Sequence, residues 1–266
     1  MDQHLFREVL GTVVCTTPYG VLPVGPVNGY GPVGNDNRGP ILLFANGSGD
    51  GVIFNGESGS RYEGTGGGVY NLKIVKESGH FGGTGLLITG IDKANRFGEG
   101  EFKNVKVFQR GDLGSGASGE WTHGVVVDGT MYPDSGAAGI RRLLFENLRV
   151  SGVEEKAIWL RNATHVTMIH CEVDPGEAKE SIIHIEGGQD ISAYGLECNG
   201  TLLLDNVTDV MLSGPNMGNV VINGGRNITL TGNCLSLTVN KGAEGAFYGN
   251  CKKKPNVPLF GAFKVR

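Results

Sequence analysis

The residues best suited to chemistry lie in one short stretch, Glu120-Trp121-Thr122-His123, with Asp128 close behind. Two carboxylates can divide general-acid and general-base work on a glycosidic bond when they stand about 5–9.5 Å apart. A lyase instead needs a base and a group that neutralises the uronate. His123 adds a side chain that titrates near neutrality. Trp121 and Tyr132 offer flat faces on which a sugar ring can stack. All of them fall in three polar excursions, Ile91–Phe102, Arg110–His123 and Asp128–Gly139, which also carry Asp92, Glu99, Glu101, Asp112 and Asp134. Loops on a rigid scaffold are where binding residues concentrate. The acidic density is also that of an ordinary protein surface, so solvated loops are the plainer reading and outweigh catalysis.

Other chemistry-bearing residues have plainer readings. Gly64-Thr65-Gly66-Gly67-Gly68 lacks the following Lys-Ser/Thr of a phosphate-binding loop and reads as a flexible corner. His165, His170 and His184 lie in or beside strand-like runs without acidic partners at ligand spacing. They read as corner or surface hydrogen-bonding groups; no metal and no cofactor is expected. Trp159, inside Ile158-Trp159-Leu160, reads as the outer face of a strand or a subunit interface rather than a ligand site. Cys15, Cys171, Cys198, Cys234 and Cys251 are odd in number, scattered and free of any C-x-x-C pair. They read as small buried hydrophobes in a reducing compartment. The sequons at Asn46, Asn162, Asn199, Asn206 and Asn227 read as by-products of Asn-rich turns.

Composition narrows the elements that must position these residues. The 266 residues carry a net charge of −4, which disfavours a general nucleic-acid binder. Glycine is the outlier, at 46 residues, with no G-x-y period. Hydrophobic residues at 39% and charged residues at 19% suffice for a core. No apolar run is long enough to span a membrane, and the first residues lack the pattern of an export signal.

The main signal is a repeat. A polar residue followed by alternating apolar positions recurs at Asn71, Asn104, Asn147, His165, Asp190, Asp209 and Asn227. Between these lie Leu86-Leu87-Ile88, Val125-Val126-Val127, Ile158-Trp159-Leu160, Ile182-Ile183-His184-Ile185, Leu202-Leu203-Leu204, Val220-Val221-Ile222 and Leu235-Ser236-Leu237-Thr238-Val239. Both series drift toward regular turns of about 18–20 residues. The runs are short, β-branched and bounded by Gly, Asn or Asp, as strands are. A two-sheet sandwich also uses many short strands, but it does not predict that drift. A coil of stacked strands does: one turn cannot bury its apolar face alone, whereas turns stacked about 4.8 Å apart share a continuous core. The leading Asn and Asp residues are then expected to form one corner ladder: Asn71, Asn104, Asn147, Asp190, Asp209 and Asn227.

This pattern resembles the right-handed parallel β-helix of the pectate-lyase-like superfamily and, within it, bacteriophage tailspikes and related virion proteins. The likeness covers roughly residues 40–240 and lacks the G-D-G-x-x-D-D-T-type opening that many tailspike helices carry. The fold class expected is all-β, a single-stranded right-handed parallel β-helix. Residues 1–40 are expected to give a capping helix over Asp2–Leu10 and a Pro/Gly-rich arm, residues 41–250 the coil, and residues 251–266 a tail. The resemblance implies a homotrimer in a virion, made in the host cytoplasm, whose arm and tail hold other virion proteins. On that reading the chain is a non-enzymatic structural component: a capsid decoration, fibre or tail part. Two alternatives share the fold. A tailspike-like depolymerase would cleave bacterial surface polysaccharide with Glu120, Asp128 and His123. A non-catalytic adhesin would bind such a glycan through Trp121 and Tyr132.

Overall fold

The computed structural model describes residues 6–9, 13–15, 21–22, 41–55, 67–77, 79–90, 98–109, 120–130, 140–174, 182–258 and 262–266. Among these, every regular element is a β-strand. Every pairing between strands is parallel. Parallel pairing of strands that follow one another along the chain makes each strand the neighbour of the one a full turn later. The result is a parallel β-helix.

Each turn visits three faces in order. The first face holds Ile41–Phe44, Arg149–Ser151 and Glu172–Asp174, with residues 72–76 and 105–109 in register between them. The second holds Val52–Asn55, Thr84–Thr89, Trp121–Asp128, Val153–Arg161, Ile182–Glu186 and Ser236–Val239. The third holds Ile140–Glu146, Ala163–Ile169, Gln189–Tyr194, Ala243–Cys251 and Phe263–Val265. Thr201–Gly214 and Asn219–Cys234 are long because each bends round a corner and serves two faces.

The interior is built from the alternation that marks the strands. On the second face Leu86, Val125, Ile158, Ile183, Leu202, Val220 and Leu237 stack in register, all buried. Aromatic rings continue the pile: Phe54 meets Phe102 edge-on at 5.4 Å, and Phe102 stacks on Phe145 at 5.1 Å. Because each residue sits over its counterpart one turn away, like packs on like, and a turn gains its core only from its neighbours.

The residues expected to form one corner ladder fall into two. At the corner before the first face, Asn104 Nδ2 donates to Asn71 Oδ1 at 2.8 Å and Asn147 Nδ2 to Asn104 Oδ1 at 3.0 Å. That ladder continues to His170, whose amide pairs with the next turn, and to Gly195. A second ladder runs inside the third face through Glu99, Arg142, His165, Asp190, Asp209 and Asn227. His165 Nε2 lies 3.1 Å from Asp190 Oδ2, and Asn227 Nδ2 donates to Asp209 Oδ1 at 2.7 Å. All of these side-chain-bearing positions have φ between 50° and 60°, the left-handed region that Asn and Asp tolerate best. Both corners demand the same backbone and so select the same residue types, which is why the sequence merges them.

The chain ends also differ from expectation. Phe6–Val9 is a strand paired in parallel with Ile41–Phe44, not part of a helix. A short helix would satisfy only its own backbone groups, whereas a strand here continues the ladder and covers the first turn. Val13–Cys15 and Val21–Leu22 likewise pair with the next turn, so the coil begins inside the stretch read as an arm. Asp2 and the remainder of that arm lie outside the described residues. In the tail, Phe263 is buried and Phe263–Val265 adds a last strand to the third face.

Candidate functional site

The strand Trp121–Asp128 carries Trp121, His123 and Asp128, with Glu120 in an isolated bridge just before it. Glu120 and Asp128 therefore stand at opposite ends of one extended segment, roughly 25 Å apart at about 3.3 Å per residue. They cannot share a glycosidic oxygen and its water, so the proposed acid/base pair is excluded. Glu120 is half-buried, and its carboxyl is pushed up by burial and by Glu154 on the next turn. Asp128 is occupied: it accepts from Thr130 N at 3.0 Å and Thr130 Oγ1 at 2.6 Å, and pairs with Arg161 at 3.1 Å.

Trp121 is not a sugar platform. It is fully buried, with its ring edge-on to Phe44 at 5.6 Å and Lys76 Nζ 4.2 Å from its centroid. The strand starts at Trp121, earlier than the valine run suggests, so the indole points into the coil. Gly51 makes room for it: a Cβ there would stand 2.9 Å from Trp121 Cη2 and 2.5 Å from Gly85 O. The buried Lys76 donates to Asn46 Oδ1 at 2.9 Å and Gly49 O at 3.0 Å, and burial pulls its ammonium down to about 8. Tyr132 lies outside the described residues. The three histidines go to different places: His170 to the first corner, His165 to the second ladder, His184 to the second face.

A different cluster stands on the outer surface of the second face. Leu87, Val126, Trp159, His184, Leu203 and Val221 form one lengthwise row. Beside it runs a polar row, Thr89, Asp128, Arg161, Glu186, Asp205 and Asn223. Trp159 is the centre. Its Nε1–H donates to Glu186 Oε2 at 3.1 Å. His184 stacks nearly parallel to it at 6.0 Å, and His123 meets it edge-on at 5.4 Å. Lys156 Nζ sits 3.2 Å from the ring centroid and Arg161 Cζ at 4.4 Å.

The strip is densely charged, with the carboxylates of Asp128, Glu186 and Asp205 against the cations of Lys156 and Arg161. Arg161 bridges Asp128 and Glu186 across successive turns. His184 Nε2 lies 2.6 Å from Asp205 Oδ2, and Asn223 Nδ2 donates to Asp205 Oδ1 at 2.6 Å. If Nε2–H of His184 is given to Asp205, its Nδ1 is left as an acceptor. That Nδ1 and the Nδ1 of His123 are both buried without a hydrogen-bond partner. Burial lowers the pKa of His123 and of Lys156, the latter despite Glu186 and Glu155 nearby. Among the described residues no group of His, Cys, Asp and Glu is arranged to hold a metal ion.

The sequence reading put Trp159 on the outside of a strand, but not the residues around it. They come from different turns, His123, Trp159, His184 and Asp205, and only the register joins them. The available signal was the middle position of each run in the second series, where Trp and His interrupt aliphatic residues.

No protein-family model matches the chain, and no curated protein matches it. Among solved structures, it is similar to an alginate lyase from Paenibacillus sp. str. FPU-7, at 9% identity and a TM-score of 0.27, over 97% of this chain and 99% of that one.

Proposed function

We propose that the protein is a rigid β-helical scaffold that binds an extended bacterial polysaccharide along the outer surface of its second face, without cleaving it. The observation that carries this reading is the Trp159 row: an indole with the His184 imidazole in register against it, the His123 imidazole at its edge from the neighbouring strand, and a line of charged and polar residues alongside. Strands about 4.8 Å apart present one new side chain at nearly the rise of one sugar along an extended glycan. Such a chain laid parallel to the coil axis meets a fresh polar partner at each turn. Lys156 covers the indole in the free protein. Its flexible stem lets it swing aside for a sugar face, and the freed ammonium then donates to a hydroxyl or a uronate.

The test is a titration of the full chain with neutral and uronate-containing surface polysaccharides, read by calorimetry, by tryptophan fluorescence in the unaltered chain, and by release of reducing ends or unsaturated uronate. Saturable binding without product release, weakened at least tenfold in Trp159→Ala and partly kept in Trp159→Phe by calorimetry, supports the reading. Binding untouched by Trp159→Ala refutes it, and product release refutes its non-enzymatic half.

A second reading, a structural component of a phage particle, is favoured by Tyr248 and Val265, exposed on neighbouring strands of the third face, a surface suited to another chain. Light scattering separates a trimer of 28.1 kDa chains from a monomer.

A further inference from the structure

Cys234 and Cys251 are neighbours in register on adjacent turns, the last pair of the long ladder that joins Asn219–Cys234 to Ala243–Cys251. Their sulfurs lie 2.9 Å apart, closer than two unbonded sulfurs rest. In-register residues on adjacent parallel strands stand about 4.8 Å apart, inside the window of about 4.4–6.8 Å between Cα atoms that a disulfide needs. The two thiols differ in access: Cys234 is buried and Cys251 half-buried. Cys251 is followed directly by Lys252, Lys253 and Lys254, all exposed.

We propose that Cys234 and Cys251 form an oxidation site: an anionic low-molecular-weight disulfide of the glutathione type converts them to a cystine that staples the final turns of the coil. Cys251, the more open thiol, loses its proton and attacks one sulfur of the disulfide, expelling one small thiolate. Cys234 then loses its proton and attacks the Cys251 sulfur, expelling the second. Two protein thiols become one disulfide, and the small disulfide is reduced to two thiols. The order of attack follows from access: Cys251 is the more open thiol, while burial and the neighbouring Cys251 thiol push Cys234 up. The lysine run draws the anionic oxidant to the correct sulfur. The staple closes the segment between the two strands and holds the third face where the chain would otherwise fray. Cys171 and Cys198 are buried elsewhere in the core and take no part.

The test uses the reduced full chain, exposed to glutathione disulfide and quantified for thiols after denaturation. Expected is a fall from five free thiols to three, a peptide joining Cys234 to Cys251, and slower proteolysis of the segment after Cys251. Cys234→Ser should instead retain a stable glutathione adduct on Cys251, and Cys251→Ser should take up none at Cys234. An unresolved adduct in the unaltered chain, a crosslink between chains, or five thiols still free overturns the proposal.

Discussion

Replacing Asn104 tests the corner ladder directly, because the residue does two separable things. It holds a left-handed backbone, φ 55°, and it links two turns, donating to Asn71 and accepting from Asn147. Alanine loses both. The side-chain bonds are solvent-exposed, so each is worth about 0.5 kcal/mol, the low end for a hydrogen bond. An L-residue without a polar side chain adds about 1 kcal/mol for the left-handed conformation. Asn104→Ala should therefore cost about 2 kcal/mol, and Asn104→Gly, which keeps the backbone free, about 1 kcal/mol. For a chain of this size that is a fall in Tm of about 4–8 °C for Ala and half as much for Gly. Thermal melts followed by far-UV circular dichroism measure both. Equal effects of Ala and Gly would refute the conformational half of the argument. A Gly variant that melts with the unaltered protein would refute the hydrogen-bonded half.

Lys76 predicts an unusual pH dependence. The folded chain releases this proton at about 8 and the unfolded chain near 10.5, so the unfolded state binds more protons between those values and stability rises with pH across that window. The gain is at most about 3 kcal/mol and should vanish in Lys76→Met, as urea midpoints at both ends of the window will show. Gly214→Ala would place a Cβ 1.9 Å from Leu196 O, a backbone atom of the neighbouring turn. It should lower stability by about 2–3 kcal/mol, read by urea unfolding, and a neutral effect would contradict the close stacking of turns there. Trp121→Ala should cost about 3–5 kcal/mol as a core deletion and leave glycan binding of the surviving fold unchanged, measured by the same titration on Trp159.

The coil was legible because its period is written in residue types: aliphatic runs bounded by Asn, Asp and Gly can satisfy both core and corner in only a few ways. Asn147 to His165 shows where legibility ends. The two share a local pattern, yet Asn147 stacks on His170 and His165 on Arg142. Local sequence specifies a left-handed corner but not which corner, since that depends on pairing with another turn. Phe6–Val9 failed for the same reason, its helical spacing being overridden by a waiting strand. Trp121 was misplaced because a strand boundary moved by a few residues, and a boundary decides whether an indole faces the core or water. The Trp159 cluster was invisible as a cluster, because its members are joined by register across gaps of up to 33 positions.

The corner between the second and third faces has a consequence for how such a chain can change. There Asn162, Gly187, Asn206 and Gly224 follow one another up the stack, and the asparagine oxygens fill the space a Cβ would need at Gly187 and Gly224. A large residue on one turn thus requires none on the next. Removing residues 207–224 would join Asn206 to Gly225 and bring Asn227 over Asp190 with every face still in register. The molecule would shorten by one strand spacing, about 4.8 Å, and Asn206 would meet Lys241-Gly242 in place of Gly224. Height is thus a quantity this chain can gain or lose in whole turns, by duplication or deletion, without inventing a new core.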